Sequence, residues 1–155
     1  FLILLYLLTT VVCGILWKEL PFVLLVFWGI FFLRPYAGGY HADTELRCYF
    51  LSTAMMNMVV FLKKTIVLSN IMFIIIWIIT VIFIWIYAPV ENTIHCLDED
   101  ARKKYANNTK KILLCNGIVM LVGIWVNQRI VVDAIIWSQV MIAIAMIAGL
   151  WKYST

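Results

Sequence analysis

Apolar and polar residues alternate in blocks along this chain, and six of the blocks are almost wholly apolar. None shows the period-two alternation of a membrane-spanning barrel strand, so each block predicts a helix. About 20 helical residues cross the roughly 30 Å of hydrocarbon in a bilayer. The fourth and sixth segments are long enough to do so, whereas the second and third are short and flank a polar loop. The segments are residues 1–17, 21–33, 48–62, 65–87, 112–127 and 130–151.

The composition indicates where these segments lie. Of the 155 residues, 65% are hydrophobic and 13% are charged, which is more apolar surface than a soluble domain of this size can bury. We therefore predict an all-α, polytopic membrane bundle. No repeat or linker divides residues 1–155, so a single membrane-embedded domain is expected. Because the chain opens on Phe1 rather than Met, we expect further residues before it.

The distribution of basic residues predicts the orientation. If all six segments cross, the loops 34–47 and 88–111 and the C-terminal tail share one side, which carries eight of the twelve Lys and Arg residues. Cytoplasmic loops are enriched in basic residues, so this side is predicted to face the cytoplasm. The net charge of +4 does not predict nucleic-acid binding, because the basic residues are divided between two membrane faces and no soluble binding fold is present.

The loop between the second and third segments combines flexible, charged and reactive residues. Gly38 and Gly39 can adopt backbone angles that other residues avoid, and we expect them to shape this loop. Asp43 or Thr44 can cap a helix that continues into the third segment. Cys48 then falls within the first turn or two of that helix.

Cysteine and histidine in this region have complementary chemistry. Near the positive end of a helix dipole and beside Arg47, the Cys48 thiol is expected to favour the nucleophilic thiolate. The His41 imidazole can take the thiol proton and later protonate a leaving amine. In one continuous helix, seven residues would separate the two by about 10.5 Å, so we expect His41 to precede the helix and fold back toward Cys48. The spacing alone is equally compatible with a loop histidine and an interfacial cysteine that have no joint role.

Two stretches of the sequence carry a family resemblance. The arrangement of Arg34, Gly39, His41 and Cys48 between hydrophobic segments resembles the signature of the accessory gene regulator B family of membrane endopeptidases. Residues 87–92, Tyr-Ala-Pro-Val-Glu-Asn, and the basic region that follows are similar to that family's second cytoplasmic loop. The resemblance extends over essentially the whole chain in segment order.

This resemblance implies a reaction and its partners. Cys48 would be the nucleophile and His41 its base, acting without a cofactor on the precursor peptide of a cyclic autoinducer for quorum sensing. Cleavage would leave the N-terminal product on the cysteine as a thioester, which an internal thiol or hydroxyl would convert to a thiolactone or lactone. The family also implies a bacterial cell-membrane location. Homodimerisation is compatible with it, although no motif here requires a second copy.

Further charged side chains could act on the substrate. Arg34 could bind a carboxylate of the precursor, or extend to lipid phosphate as arginine at a membrane boundary commonly does. Lys103 and Lys104 belong to a basic patch that could recognise an acidic peptide tail or contact anionic lipid. Asp43 and Glu45 could orient the histidine, but helix capping accounts for them equally, so the orienting residue is left unassigned.

Other functions remain open on the sequence. His41, Cys48, His95 and Cys96 could in principle form a Cys2His2 zinc site, but zinc motifs normally have closer paired spacing, so no metal is predicted. A small transporter would place charged residues along a pathway, yet the long segments hold almost no ionisable residue beyond Asp133. A non-catalytic partner subunit of a membrane complex is the third alternative.

Overall fold

The computed structural model describes residues 2–40, 44–66, 69–91 and 98–153. These residues form helices and contain no strand, which confirms the predicted all-α class. Three of the helices, Leu20–Ala37, Asn70–Tyr87 and Arg129–Tyr153, are long and apolar enough to cross a membrane. In chain order the elements are α1 (Leu2–Leu16), α2 (Leu20–Ala37), α3 (Glu45–Thr65), α4 (Asn70–Tyr87), α5 (Glu99–Trp125) and α6 (Arg129–Tyr153).

Several helices are longer than the apolar segments that predict them, because polar residues join their ends. Helix α2 has 18 residues and α3 has 21, although their apolar runs are short. Pro35 lies in the last turn of α2, and the Gly38 N–H closes that turn by donating to the Arg34 carbonyl oxygen at 3.0 Å. Helix α5 begins at Glu99, well before residue 112, with acidic side chains in its first turn that favour a helix start.

Helix α6 occupies the centre of the bundle, and its neighbours bury it on most sides. One apolar cluster joins α6 to α2 and α3 through residues such as Trp137, Val26 and Val59. Another joins α6 to α2, α4 and α5 through residues that include Ile142 and Leu33. Large apolar side chains on the outer helix faces remain exposed, as expected for surfaces that face lipid.

The described parts of the two larger loops lie at one end of the bundle. Gly38, after α2, pairs with Val90, after α4, and the Lys152 ammonium of α6 lies 4.9 Å from the centre of the Tyr40 ring. We call this the loop end, defined by residues 34–40, 44–48, 88–91, 98–105 and 150–153. The opposite end is defined by residues 17–20, 62–66, 69–70 and 125–130. The described residues of the two larger loops and of the C-terminal tail therefore lie at the same end of the bundle, and their shared side of a membrane stays a prediction.

Candidate active site

Cys48 lies on the first turn of α3 at the loop end. The helix begins after Thr44, whose hydroxyl accepts a hydrogen bond from the Arg47 N–H at 3.3 Å. The Cys48 N–H donates to the Thr44 carbonyl oxygen at 3.1 Å. Of the two predicted caps, Thr44 is the one observed, and Cys48 stands where the sequence predicts it. Its thiol is free and half-buried, near the partly positive N-terminus of the helix.

The Arg34 side chain connects three parts of this site. Its Nη2 lies 4.0 Å from the Cys48 sulfur and donates to the Tyr40 carbonyl oxygen at 3.2 Å. Its Nη1 donates to the Ser52 hydroxyl at 3.4 Å. The structure thus brings Arg34, at the end of α2, to the cysteine of α3. The guanidinium thereby places a positive charge beside the sulfur.

The glycine turn after α2 is held by close backbone packing. Gly38 has a φ of 74° and Gly39 a φ of 128°, both in the region that L side chains rarely adopt. A Cβ atom on Gly38 would lie 2.2 Å from the Val90 carbonyl oxygen, and one on Gly39 would lie 3.1 Å from the Ala145 backbone. The Tyr40 N–H donates to the Ala145 carbonyl oxygen at 2.7 Å. Glycine is required here, and the turn fixes the Tyr40 carbonyl that Arg34 contacts.

Two site residues, Tyr6 and Ser52, are not among the sequence predictions. The Tyr6 hydroxyl lies beside both the Cys48 thiol and the Ser52 hydroxyl, and its ring packs 5.2 Å from that of Tyr49. Residues four apart share a helix face, so the spacing from Cys48 could have indicated Ser52. Tyr6 comes from α1, far away in sequence, and no local pattern marks it.

A cavity of about 800 Å³ opens directly beside the thiol, between α1, α2, α3 and α6. Cys48, Arg34, Tyr6 and Ser52 all line it. Most of the remaining lining is apolar, with methionines of α3 and Trp137 of α6 prominent in it. Its volume is in the range of sites that bind small organic molecules or short peptide segments.

Other predicted residues lie away from this cavity or outside the described residues. His41, the predicted base, directly follows Tyr40 in the sequence but is outside the described residues, as are His95 and Cys96. Lys103 and Lys104 are exposed on the first turns of α5 and do not line the cavity. Within the described ranges, no three His, Cys, Asp or Glu side chains are grouped closely enough to hold a metal ion.

Fold and site together define a helical membrane protein with a cysteine-arginine centre at one end of its bundle. The family model of Accessory gene regulator B matches residues 1–147. The chain therefore belongs to the accessory gene regulator B family, and membership associates it with the accessory gene regulator quorum-sensing system. No curated protein and no solved structure matches the chain.

Proposed function

We propose that the protein is a membrane-embedded cysteine endopeptidase that cleaves the C-terminal part of an autoinducing-peptide precursor. The observation that carries this proposal is the position of Cys48: a free thiol on the first turn of α3, 4.0 Å from the Arg34 guanidinium, at the edge of a large cavity. The helix N-terminus and the guanidinium both place positive electrostatic potential beside this sulfur. Family membership supplies the class of substrate.

The first chemical step joins the precursor to the enzyme. His41 takes the Cys48 proton, and the sulfur attacks the carbonyl carbon of the scissile peptide bond. The new C–S bond replaces the C–N bond, and His41 returns its proton to the departing amine. Arg34 and the Tyr6 hydroxyl lie beside the sulfur and are the donors that stabilise the developing oxyanion. The role of His41 rests on sequence alone.

The second step closes the ring of the signal peptide. A thiol or hydroxyl within the retained N-terminal product gives its proton to His41 and attacks the thioester carbonyl. The new C–S or C–O bond replaces the bond to the Cys48 sulfur, the thiolactone or lactone is released, and His41 returns the proton to Cys48. An apolar cavity favours this outcome because it limits the water that would otherwise hydrolyse the thioester. Holding both reacting groups in one cavity also raises the rate of the intramolecular attack.

The loop end is proposed to face the cytoplasm, because it carries the larger share of basic residues. Lys103 and Lys104 are exposed at this end, where they would attract a charged C-terminal segment of the precursor or anionic lipid. The single membrane-embedded domain and the homodimer remain predictions. Against a transporter, Asp133 is bound by the Arg129 guanidinium at 3.1 Å instead of standing unpaired along a pathway.

Mass spectrometry of the protein in lipid nanodiscs tests the proposal. Incubation with a synthetic precursor peptide should give an acyl adduct on Cys48 and release the C-terminal fragment. Cys48→Ala and His41→Ala should each abolish cleavage. Cys115→Ala is the matched control, because Cys115 is exposed on α5 away from the cavity. Cleavage retained in Cys48→Ala, or an adduct on Cys13 instead, would refute the assignment.

A further inference from the structure

The cavity beside Cys48 follows one face of α3. Its lining includes Cys48, Ser52, Met55, Val59 and Leu62, residues that recur every three or four positions and therefore lie above one another on a helix. The rise from the first to the last of these is about 21 Å. An extended peptide covers that distance with about six residues, so the cavity is long enough to hold a segment next to the scissile bond.

The polarity of the lining changes along this length. Arg34 is the only charged residue among the described residues that line the cavity, and it lies beside Cys48. Farther along α3 the lining is supplied by side chains such as Met55, Met56 and Val59, and across the cavity by Trp137. The Cys13 sulfur, also in the lining, already accepts a hydrogen bond from Asn57 at 3.5 Å. Among the described residues that line this part, none carries a charge, and the buried Trp137 indole N–H is a neutral donor.

The change in polarity along the cavity determines which side of the scissile bond it can hold. A charged segment placed in the apolar part would lose its hydration without gaining an opposite charge, which is strongly unfavourable. In the proposed reaction the amine side leaves, whereas the acyl side remains covalently attached to the Cys48 sulfur. The segment that must fit the cavity for the lifetime of the thioester is therefore the acyl segment.

We infer that the cavity between α1, α2, α3 and α6 binds apolar side chains on the acyl side of the scissile bond. This inference rests on the proposed function and names the part of the substrate that the site selects. Methionines supply much of the lining, and their flexible, polarizable side chains adapt to apolar groups of different shape. Selection is consequently by polarity and size, with leucine, methionine and phenylalanine accepted and acidic residues rejected.

Acylation of Cys48 by two small probes tests this selection. Nanodisc-embedded protein is treated with the thiophenyl esters of N-acetyl-leucyl-leucine and of N-acetyl-aspartyl-aspartate, and intact-mass spectrometry follows the adduct on each cysteine. Cys115, exposed on α5, reports how far each probe concentrates in the bilayer. After division by the rate at Cys115, the leucyl probe should acylate Cys48 about 100-fold faster than the aspartyl probe. If the two probes acylate Cys48 at nearly equal rates after this correction, the inference is overturned.

A pair of neighbouring substitutions assigns the preference to the cavity. Met55 lines it, whereas Ala54 is exposed on another face of the same turn and does not. Met55→Trp fills the space and should lower the leucyl preference at least about tenfold, while Ala54→Trp should leave it unchanged. Equal effects of the two variants, or none from either, contradict the inference.

A binding measurement covers the case in which Met55→Trp does not fold. In Cys48→Ala protein, N-acetyl-photoleucyl-leucine amide should crosslink to lining residues of α3 and α6 on illumination. Crosslinks confined to outer helix faces, as for a cavity filled by lipid chains, overturn the proposal. If the leucyl ester acylates Cys48 selectively but no precursor peptide is cleaved, the proposed endopeptidase function fails while the apolar acyl site stands.

Discussion

Arg34 at the loop end and Lys63 at the opposite end, both half-buried, have different kinds of partner. At the opposite end, Lys63 pairs with Glu19 and Arg129 pairs with Asp133, whereas the exposed Lys64 donates to the Trp17 carbonyl oxygen. At the loop end, the exposed Arg102 pairs with Glu91 at 3.3 Å, but the half-buried Arg34 has no carboxylate partner among the described residues. Its guanidinium contacts a hydroxyl, a carbonyl oxygen and the Cys48 sulfur.

This difference separates a structural role from a functional one. Paired charges at helix ends neutralise one another, and the Lys63–Glu19 pair also joins α3 to the start of α2. A half-buried cation held by neutral groups keeps part of its electrostatic potential available to an anion that forms nearby, whether thiolate or oxyanion. The contrast predicts that changes at the loop end alter the reaction, and that changes at the opposite end alter stability alone.

The largest effect is expected from Arg34. Arg34→Gln removes the charge beside Cys48 and should lower kcat/KM for precursor cleavage by about 100-fold or more. Arg34→Lys keeps a charge but loses the planar fork that contacts three groups at once, so it should recover only part of the loss. Cleavage kinetics and the rate of Cys48 alkylation measure both effects. A fully active Arg34→Gln variant would remove the contrast between the two ends.

The second effect concerns the glycine turn that positions the Tyr40 carbonyl. Gly38→Ala would place its Cβ 2.2 Å from the Val90 carbonyl oxygen, at a φ of 74°, and strain of this kind costs about 1–3 kcal/mol. We expect cleavage to fall about tenfold or more, with a lower midpoint of thermal unfolding. Gly39→Ala should be milder, because its Cβ meets the Ala145 backbone at 3.1 Å. A larger loss of cleavage in Gly39→Ala than in Gly38→Ala would contradict the argument from close backbone packing.

Sequence patterns predict some of the residues that form the site at the loop end, but not the contacts between helices. Periodicity and composition predict the helical class, and the glycines, Arg34, Cys48 and the Thr44 cap are local signals in one loop. The spacing rules do not predict that Arg34 reaches the sulfur, because that contact depends on how α2 packs against α3. Tyr6 lies beyond any local rule, since it meets Cys48 only after α1 packs against α3. The cavity likewise requires four helices to be in place.

Two tyrosines in contact provide a matched pair for the third prediction. The Tyr6 hydroxyl lies beside the Cys48 thiol, whereas the Tyr49 hydroxyl is hydrogen-bonded to Thr9. Tyr6→Phe keeps the ring and removes one donor, worth about 1 kcal/mol, so kcat should fall about fivefold with little change in KM. Tyr49→Phe should leave kcat unchanged. Equal losses in the two variants would assign Tyr6 a packing role only.

A smaller effect is expected from the exposed lysines of α5. Replacing Lys103 and Lys104 together by glutamine removes two charges from the loop end without touching the cavity. If they attract a charged precursor, KM should rise about threefold, and the increase should vanish at high salt, where exposed charges are screened. Measuring the cleavage rate as a function of precursor concentration, at low and at high salt, gives KM under both conditions. A salt-independent loss of kcat would assign them a role in the reaction instead.

The smallest effect on cleavage is expected at the opposite end, where Lys63 pairs with Glu19 and also lies 4.5 Å from the centre of the Phe22 ring. Lys63→Gln leaves the Glu19 carboxylate largely buried without its cation, which should lower stability by about 1–2 kcal/mol. The double variant Glu19→Gln with Lys63→Gln should regain part of that loss, because no uncompensated charge remains. Thermal unfolding in detergent measures stability, and kcat/KM measured well below the unfolding midpoint should stay at the wild-type value in both variants. If Lys63→Gln lowered kcat/KM as strongly as Arg34→Gln, the opposite end would take part in the reaction, and carboxylate pairing would no longer distinguish structural from functional charges.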